Sequence, residues 1–449
     1  MKTVILFLLF FPAISIAQNS IGTVIGKKSN LPIEGVNITI KPFNSTTTTD
    51  KAGKFKLEKI TELQKIDTLY FSHIGYTTKK ISFNEFEKNE FTIFLDEQTE
   101  LLDEVALSFS QNKQLKSKIS YTKLAPLKYA ISNFGSVLKD NKIYVIGGDA
   151  SFKRDAWKKL QYENPDPTLT DFINELKYPN SAQMYKGNIM VYDIENDRWD
   201  VSKIKFRKRA YHNLNEYNNK IYVIGGKSIS ANGLFEYLDN KIEVFDINRQ
   251  TITIDNTNPH QAAEFASFTY KNNLIVMGGS IKMSQKGIKQ YTDKVHSYDF
   301  DSGYWYELES MPIAKETTGI LIKDKIFLFG GFNGNPLSII ESFDLVTEKW
   351  QTEGNMFCTL SSPAIGSNND LIYLFENEKI YTYNIYSKEL KEYLINLPMK
   401  ASKLFFLNEK LYLLGGYIEN YYSKFPSPNL YSIDINEFKN TKPNRMIIL

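Results

Sequence analysis

Cysteine is almost missing from this sequence. Cys358 stands alone in 449 residues, so no intrachain disulfide and no multi-cysteine zinc site can form. Histidine is scarce too, with His73, His212, His260 and His296 on separate segments. There is no His-Glu-x-x-His, no Gly-x-Ser-x-Gly and no glycine-rich lysine loop, so zinc peptidase, serine hydrolase and phosphate-cradling chemistry have no motif to rest on. No catalytic residue, metal or cofactor is expected. Charge of one sign is also lacking: Lys+Arg of 54 against Asp+Glu of 51 leaves +3, too balanced for nucleic-acid binding by net field. Beyond the first residues no stretch reaches 18 apolar residues, so no transmembrane helix is expected.

The N-terminus is the exception. Met1-Lys2 supplies a positive start, Val4 to Ile16 is nearly all apolar, and Ser15-Ile16-Ala17 offers a small-x-small cleavage site. Residues 1–17 read as a secretory signal peptide. An exported chain without disulfides fits a bacterium, in the periplasm, at the outer membrane or outside the cell.

What the chain has in abundance is aromatic residues, 28 Tyr and 30 Phe, which suits β-structure. It also has a phrase that recurs. Lys142-Ile-Tyr-Val-Ile-Gly147-Gly148 returns as Lys220-Ile-Tyr-Val-Ile-Gly225-Gly226, then with variations ending at Gly278-Gly279, Gly330-Gly331 and Gly415-Gly416. A sixth copy, Leu371-Ile-Tyr-Leu-Phe-Glu376-Asn377, keeps the apolar run and loses the glycines. Each run reads as a buried strand closed by a turn that needs φ > 0 or a close backbone approach. A second phrase follows each: Tyr192-Asp193, Phe245-Asp246, Tyr298-Asp299, Phe343-Asp344, Tyr383-Asn384 and Ile433-Asp434. Trp199, Trp305 and Trp350 stand six residues beyond the acid in three copies, and Ile252 and Leu390 hold that spacing in two more.

Repeats of this length and marking are the signature of propeller blades. The pattern resembles the kelch repeat and implies a six-bladed ring over residues 118–440. The last copy lacks a large residue at Asn440, six beyond Asp434, whereas Tyr121-Thr-Lys-Leu124 resembles the end of a blade. Residues 118–124 are therefore expected to supply the outer strand of the last blade and close the ring.

Residues 18–100 form a separate unit of short strands: Thr23–Ile25, Val36–Ile40, Thr68–Phe71 and Phe91–Leu95. Pro32-Ile-Glu-Gly35-Val-Asn-Ile38, Thr49-Asp50-Lys-Ala-Gly53-Lys-Phe55, Phe71-Ser-His-Ile-Gly75-Tyr76 and Leu102-Asp-Glu-Val105 resemble the carboxypeptidase regulatory-like family. That resemblance implies a small transthyretin-like β-sandwich without a peptidase site. Asp50 with Gly53 reads as an Asx-turn, not as a calcium loop. Polar residues 101–117 read as a linker. The fold class is all-β, a small β-sandwich followed by a six-bladed kelch β-propeller.

Most of the length beyond a plain blade of about 40–50 residues falls between the glycine pair and the aromatic-Asp phrase. In kelch rings such loops gather on one face. Residues 149–187 carry helical spacing around Trp157 and Phe172, with Asp166-Pro167-Thr168 available to start the second helix. The last blade adds Tyr421 and Tyr422. Trp157, Tyr421 and Tyr422 are candidate ligand contacts, and for Trp157 the alternative is glue between the insertion and the ring. The residues entering each inner strand add Arg209, Tyr211, His212, Glu264, Lys315, Glu316, Ser361 and Lys400 as candidate channel-lining groups. Arg and Lys among Glu could clamp a carboxylate-bearing sugar or an acidic peptide, with Arg209 foremost. The alternative is that they pair with one another.

These features point to a binding protein for a glycan or an envelope protein. A rival is an enzyme resembling the exported kelch mutarotases that act on sialic acid, with Glu264 or Glu316 and Arg209 as the acid/base pair. A second rival is a structural spacer. Galactose oxidase is also a kelch relative, but Cys358 has no nearby histidine in sequence, so copper oxidase chemistry is not expected.

Overall fold

A computed structural model describes residues 21–41, 45–57, 63–73, 75–97, 115–164, 166–178, 184–230, 235–283 and 289–449. The expected signal peptide and residues 101–114 of the expected linker lie outside them. The chain divides into two compact units, 1–112 and 113–449.

In the first unit, Ile21–Gly26 runs parallel to Thr92–Leu95 and antiparallel to Lys54–Lys56. A second sheet orders Ser45–Thr48, Asn37–Lys41, Thr68–Ser72 and Lys79–Ser82. Alternation along the strands sends Val24, Ile38, Ile40, Leu69, Phe71 and Ile93 into one core. Phe55 plugs that core, stacking on Phe86 at 5.9 Å. The turn before it is an Asx-turn: Asp50 Oδ1 accepts the Ala52 and Lys54 amides at 2.9 Å, and Gly53 takes φ +69°. The helix Phe83–Lys88, capped by the Ser82 hydroxyl, was not legible in the strand pattern.

The second unit is a ring of six antiparallel sheets, with the four blade strands in sequence order from the axis outward in blades one to five. The recurring phrases now have causes. In five of the six blades the second strand is followed by the glycine pair, which abuts the next blade. A Cβ on Gly147, Gly225, Gly278 or Gly330 would meet a carbonyl oxygen of that neighbour within 2.8 Å. The second glycine takes φ > 0, and the amides of Gly148, Gly226, Gly279 and Gly331 donate to Arg209, Ala262, Lys315 and Leu360. In the degenerate copy Asn377 adopts φ +47° and its amide donates to Met399 at 3.0 Å, so the inter-blade bond survives. Glu376 uses its carboxylate there to accept the Ser361 hydroxyl at 2.9 Å.

In blades one to five the second phrase opens the hairpin between third and fourth strands, and in blade six it leads into the short helix Glu437–Asn440. Asp193, Asp246, Asp299, Asp344, Asn384 and Asp434 each accept a backbone amide two residues on. The large residue six further on lies directly across the ladder: Tyr192 faces Trp199, Phe245 Ile252, Tyr298 Trp305, Phe343 Trp350, and Tyr383 Leu390. The three tryptophans pack on their partners with ring centroids 4.7–5.0 Å apart. In the sixth blade Thr122–Leu124 supplies the outer strand, paired to Leu430–Asp434. Six apolar clusters fill the seams between neighbouring blades, and the one joining sixth and first contains Leu127, Phe134, Val145, Tyr412 and Leu414.

The ring extends past residue 440, where the repeat pattern ends. Arg445–Ile448 adds a fifth strand outside Glu389–Leu394 of blade five. It carries no repeat phrase, so nothing in the periodicity marks it.

Candidate functional site

The extra length of the blades forms a common rim. Blade two extends into a ribbon of Lys227–Ile229 and Glu236–Leu238. Blade three does so with Ser280–Met283 and Lys289–Tyr291, and blade six with Tyr417–Glu419 and Ser423–Pro426. Blade one carries helices Ala156–Glu163 and Leu169–Leu176, the second capped by Thr168 with Asp171 returning the bond.

Neighbouring insertions are joined. Lys153–Arg154 pairs as a strand with Ser423–Lys424, Phe152 stacks on Phe425 at 5.5 Å, and the Asp155 amide donates to the Tyr422 carbonyl at 2.7 Å. Tyr185 of blade one donates its hydroxyl to Glu236 of blade two, and Lys227 lies over the Tyr211 ring. Within the first insertion Glu175 holds Arg154 and Lys159, each at 2.6 Å. Trp157 sits edge-on to Phe172 at 5.6 Å, yet 45% of it stays exposed. That contact joins the two helices of the insertion to each other and does not involve the ring. Tyr162, Phe235, Tyr237 and Tyr421 are exposed on the same insertions.

At the centre, a cavity of about 230 Å³ draws residues from the inner strands of all six blades and so lies on the ring axis. Tyr211, His212, Glu264, Glu316 and Ser361 line it, where the sequence places them. Arg209, Lys315 and Lys400 do not line it, which corrects the expectation for these three. Arg209 is fully buried, its guanidinium 2.8 Å from Glu243 and 3.1 Å from the Lys241 carbonyl. Lys315 occupies the matching place in blade four and is likewise fully buried, its ammonium 2.5 Å from Glu341. Their carbonyls receive the glycine-pair amides of the preceding blade, so both cations lock a blade to its neighbour. Arg209 is therefore architectural, and His212, three residues on, packs into a notch left by Gly135 and Gly147. Burial, and then the Arg209 charge, hold the His212 imidazole well below its ordinary pKa, so it is neutral. Lys400 lies beside the ribbon of blade six, paired with Glu419 at 3.1 Å.

Lys289, on the blade-three ribbon, bridges two carboxylates: Glu264 at 3.0 Å and Glu316 at 2.6 Å. Burial and the Glu264 charge push Glu316 up to about 7. Burial also penalises the Glu264 anion, but its contacts with Glu316 and Lys289 outweigh that and hold its pKa low. Tyr211 and Glu264 both sit at φ > 0, the left-handed conformation a side chain disfavours. A groove of about 460 Å³ adjoins, lined by Lys227, Glu236, Tyr237, Gln261, Ser280 and Lys289. Sequence reasoning missed Lys289, Lys227, Glu236 and Lys403. The first three lie in insertions with no repeat to align, whereas Lys403 was visible. Facing the last residue of the second strand, or the equivalent site in blades four and five, stand Gly135, Asn213, Ala266, Thr318, Ala364 and Lys403. A lone lysine among small residues marks the position. Among the described residues no cluster of three or more His, Cys, Asp or Glu is arranged to hold a metal ion.

Two family profiles match the chain: a CarboxypepD_reg-like domain over residues 21–107 and a KLHDC2/KLHL20/DRC7 Kelch-repeats domain over residues 179–383. Kelch-like protein 38 of Rattus norvegicus is 23% identical over 272 residues, 58% of this chain and 44% of that protein. Kelch repeat and BTB domain-containing protein 12 of Homo sapiens is 26% identical over 229 residues, 48% of this chain and 32% of that protein. The chain thus spans less than half the length of these relatives. Among solved structures, that titled "Structure of YjhT" superposes with a TM-score of 0.51 at 11% identity, covering 68% of this chain and 95% of its own. The fold is shared with it. The chain combines an N-terminal carboxypeptidase regulatory-like domain with a kelch-repeat β-propeller.

Proposed function

We propose that this is an exported bacterial protein that recognises a protein or glycan ligand at the cell envelope through the insertion-bearing rim of its propeller. One observation carries the reading: the insertions of blades one and six are stitched together by backbone pairing around the channel mouth. A surface fixed that way presents Trp157, Tyr162, Phe235, Tyr237 and Tyr421 to solvent without ordering them at the moment of binding. Lys227, Glu236 and the Glu264–Lys289–Glu316 bridge supply polar partners beside the aromatics. The apolar N-terminal stretch followed by Ser15-Ile16-Ala17 supports export.

A combined glycan and peptide array tests this, read with wild type and with a Trp157→Ala/Tyr421→Ala variant. Binding that the variant loses supports the reading. An empty array, or one the variant reads equally well, contradicts it.

A second reading, sugar mutarotation, is favoured by Glu316, a carboxyl held up to about 7 beside an anionic Glu264 at the same mouth. Proton NMR of freshly dissolved, anomerically unequilibrated sugars decides it. Acceleration that Glu316→Gln abolishes would establish an enzyme; none would remove it.

A further inference from the structure

Lys403 is the one lysine on the axial cavity wall, and it lacks the carboxylate partner that most cations near the channel have; Lys424 lacks one too but lies over the Tyr417 ring, 3.6 Å from its centroid. Lys289 is shared by two carboxylates, Lys315 is sealed against Glu341, Lys400 meets Glu419 and Lys227 meets Glu236. Lys403 has no ion pair and no side-chain hydrogen bond among the described residues. The carboxylate whose charge acts on it is Glu264, which Lys289 already holds. The ring surrounds Lys403, and burial lowers its pKa accordingly. A charge left unpaired inside protein is costly, and an arriving counter-ion recovers that cost. Neutral groups able to exchange hydrogen bonds stand around it. Asn133 and Ser362 are half-buried on the same wall, and Asn213 has its amide engaged with the Phe265 carbonyl at 2.6 Å, leaving its own oxygen. Below them the wall turns apolar with Phe268, Leu404 and Phe405, and at about 230 Å³ the space suits one small molecule, not a chain.

We propose that the axial cavity is a binding site for a small hydroxylated organic acid, whose carboxylate pairs with Lys403 while its hydroxyls meet Asn133, Asn213 and Ser362. Glu264 and Glu316 belong both to this cavity wall and to the bridge at the mouth, but the proposal turns on Lys403, which takes no part in the rim reading.

Isothermal titration of the full chain with glucuronate, citrate and acetate, and with glucose as the neutral match to glucuronate, tests it. At least one acid is expected to bind one-to-one and saturably, and glucose is expected not to bind. Lys403→Met should weaken that acid by about tenfold or more. Lys403→Arg should retain it, and both variants should melt as cooperatively as wild type. The proposal is overturned if none of the acids binds, if Lys403→Met binds like wild type, or if glucose binds as tightly as glucuronate. Loss in both the Met and Arg variants with unchanged melting would also overturn it, since the charge would then not be the determinant.

Discussion

Arg209 and Lys315 show how one position in a repeat acquires a structural task. Each enters a blade, offers its carbonyl to the preceding glycine pair, and buries its charge against a glutamate two strands outward, Glu243 or Glu341. Removing only the cation would strand a carboxylate in the seam. Arg209→Met is therefore expected to lose about 3–5 kcal/mol in urea unfolding, whereas Arg209→Met/Glu243→Leu recovers much of it. Equal losses in single and double variants would contradict this. Glu316 makes a second prediction. Its pKa near 7 in the fold, against about 4.3 in an unfolded chain, means that between those values the folded state keeps a proton the unfolded chain releases. Its contribution to stability therefore falls as pH rises through that window. Glu316→Gln should show a smaller drop in urea midpoint between pH 5 and pH 8 than wild type. The same drop in both would remove the assignment.

Elements explain both what the sequence made legible and what it did not. The glycine pairs, the Asp turns and the Tyr–Trp spacing are local consequences of one blade repeated, so they are visible as a period. Thr122–Leu124 was readable because the last blade visibly lacked its outer strand. Arg445–Ile448 was not, since it is an addition to a complete blade, held at its start by Asn444 and Arg445 against the buried Glu392. The two strands should differ in consequence. Deleting residues 115–124 opens the ring and exposes the seam of Leu127, Phe134 and Leu414, which should lower the melting temperature by well over ten degrees, an order of magnitude set by the loss of several kcal/mol. Deleting 445–449 leaves the ring closed and should cost a few degrees. Calorimetry of the two truncations checks the order; the reverse order would refute ring closure through the N-terminal strand. The candidate site was only half legible for a related reason. Tyr211, His212, Glu264 and Glu316 follow from the repeat register, but register could not say that Arg209 and Lys315 point into a seam instead of the channel. That depends on glutamates in other strands.

At the scale of the propeller unit, opposite ends of the ring are built differently. One end consists of the short hairpins after Asp193, Asp246, Asp299, Asp344 and Asn384 and the turn after Asp434. The other carries the ribbons and helices of blades one, two, three and six around the channel mouth. The account places recognition at the second end. Hydrogen exchange, with and without the strongest ligand from the array, tests that most directly. Protection is predicted at 153–163, 227–229, 236–238 and 417–426, with the hairpins at 195–197, 248–250, 301–303 and 346–348 unchanged. Protection confined to those hairpins would contradict it.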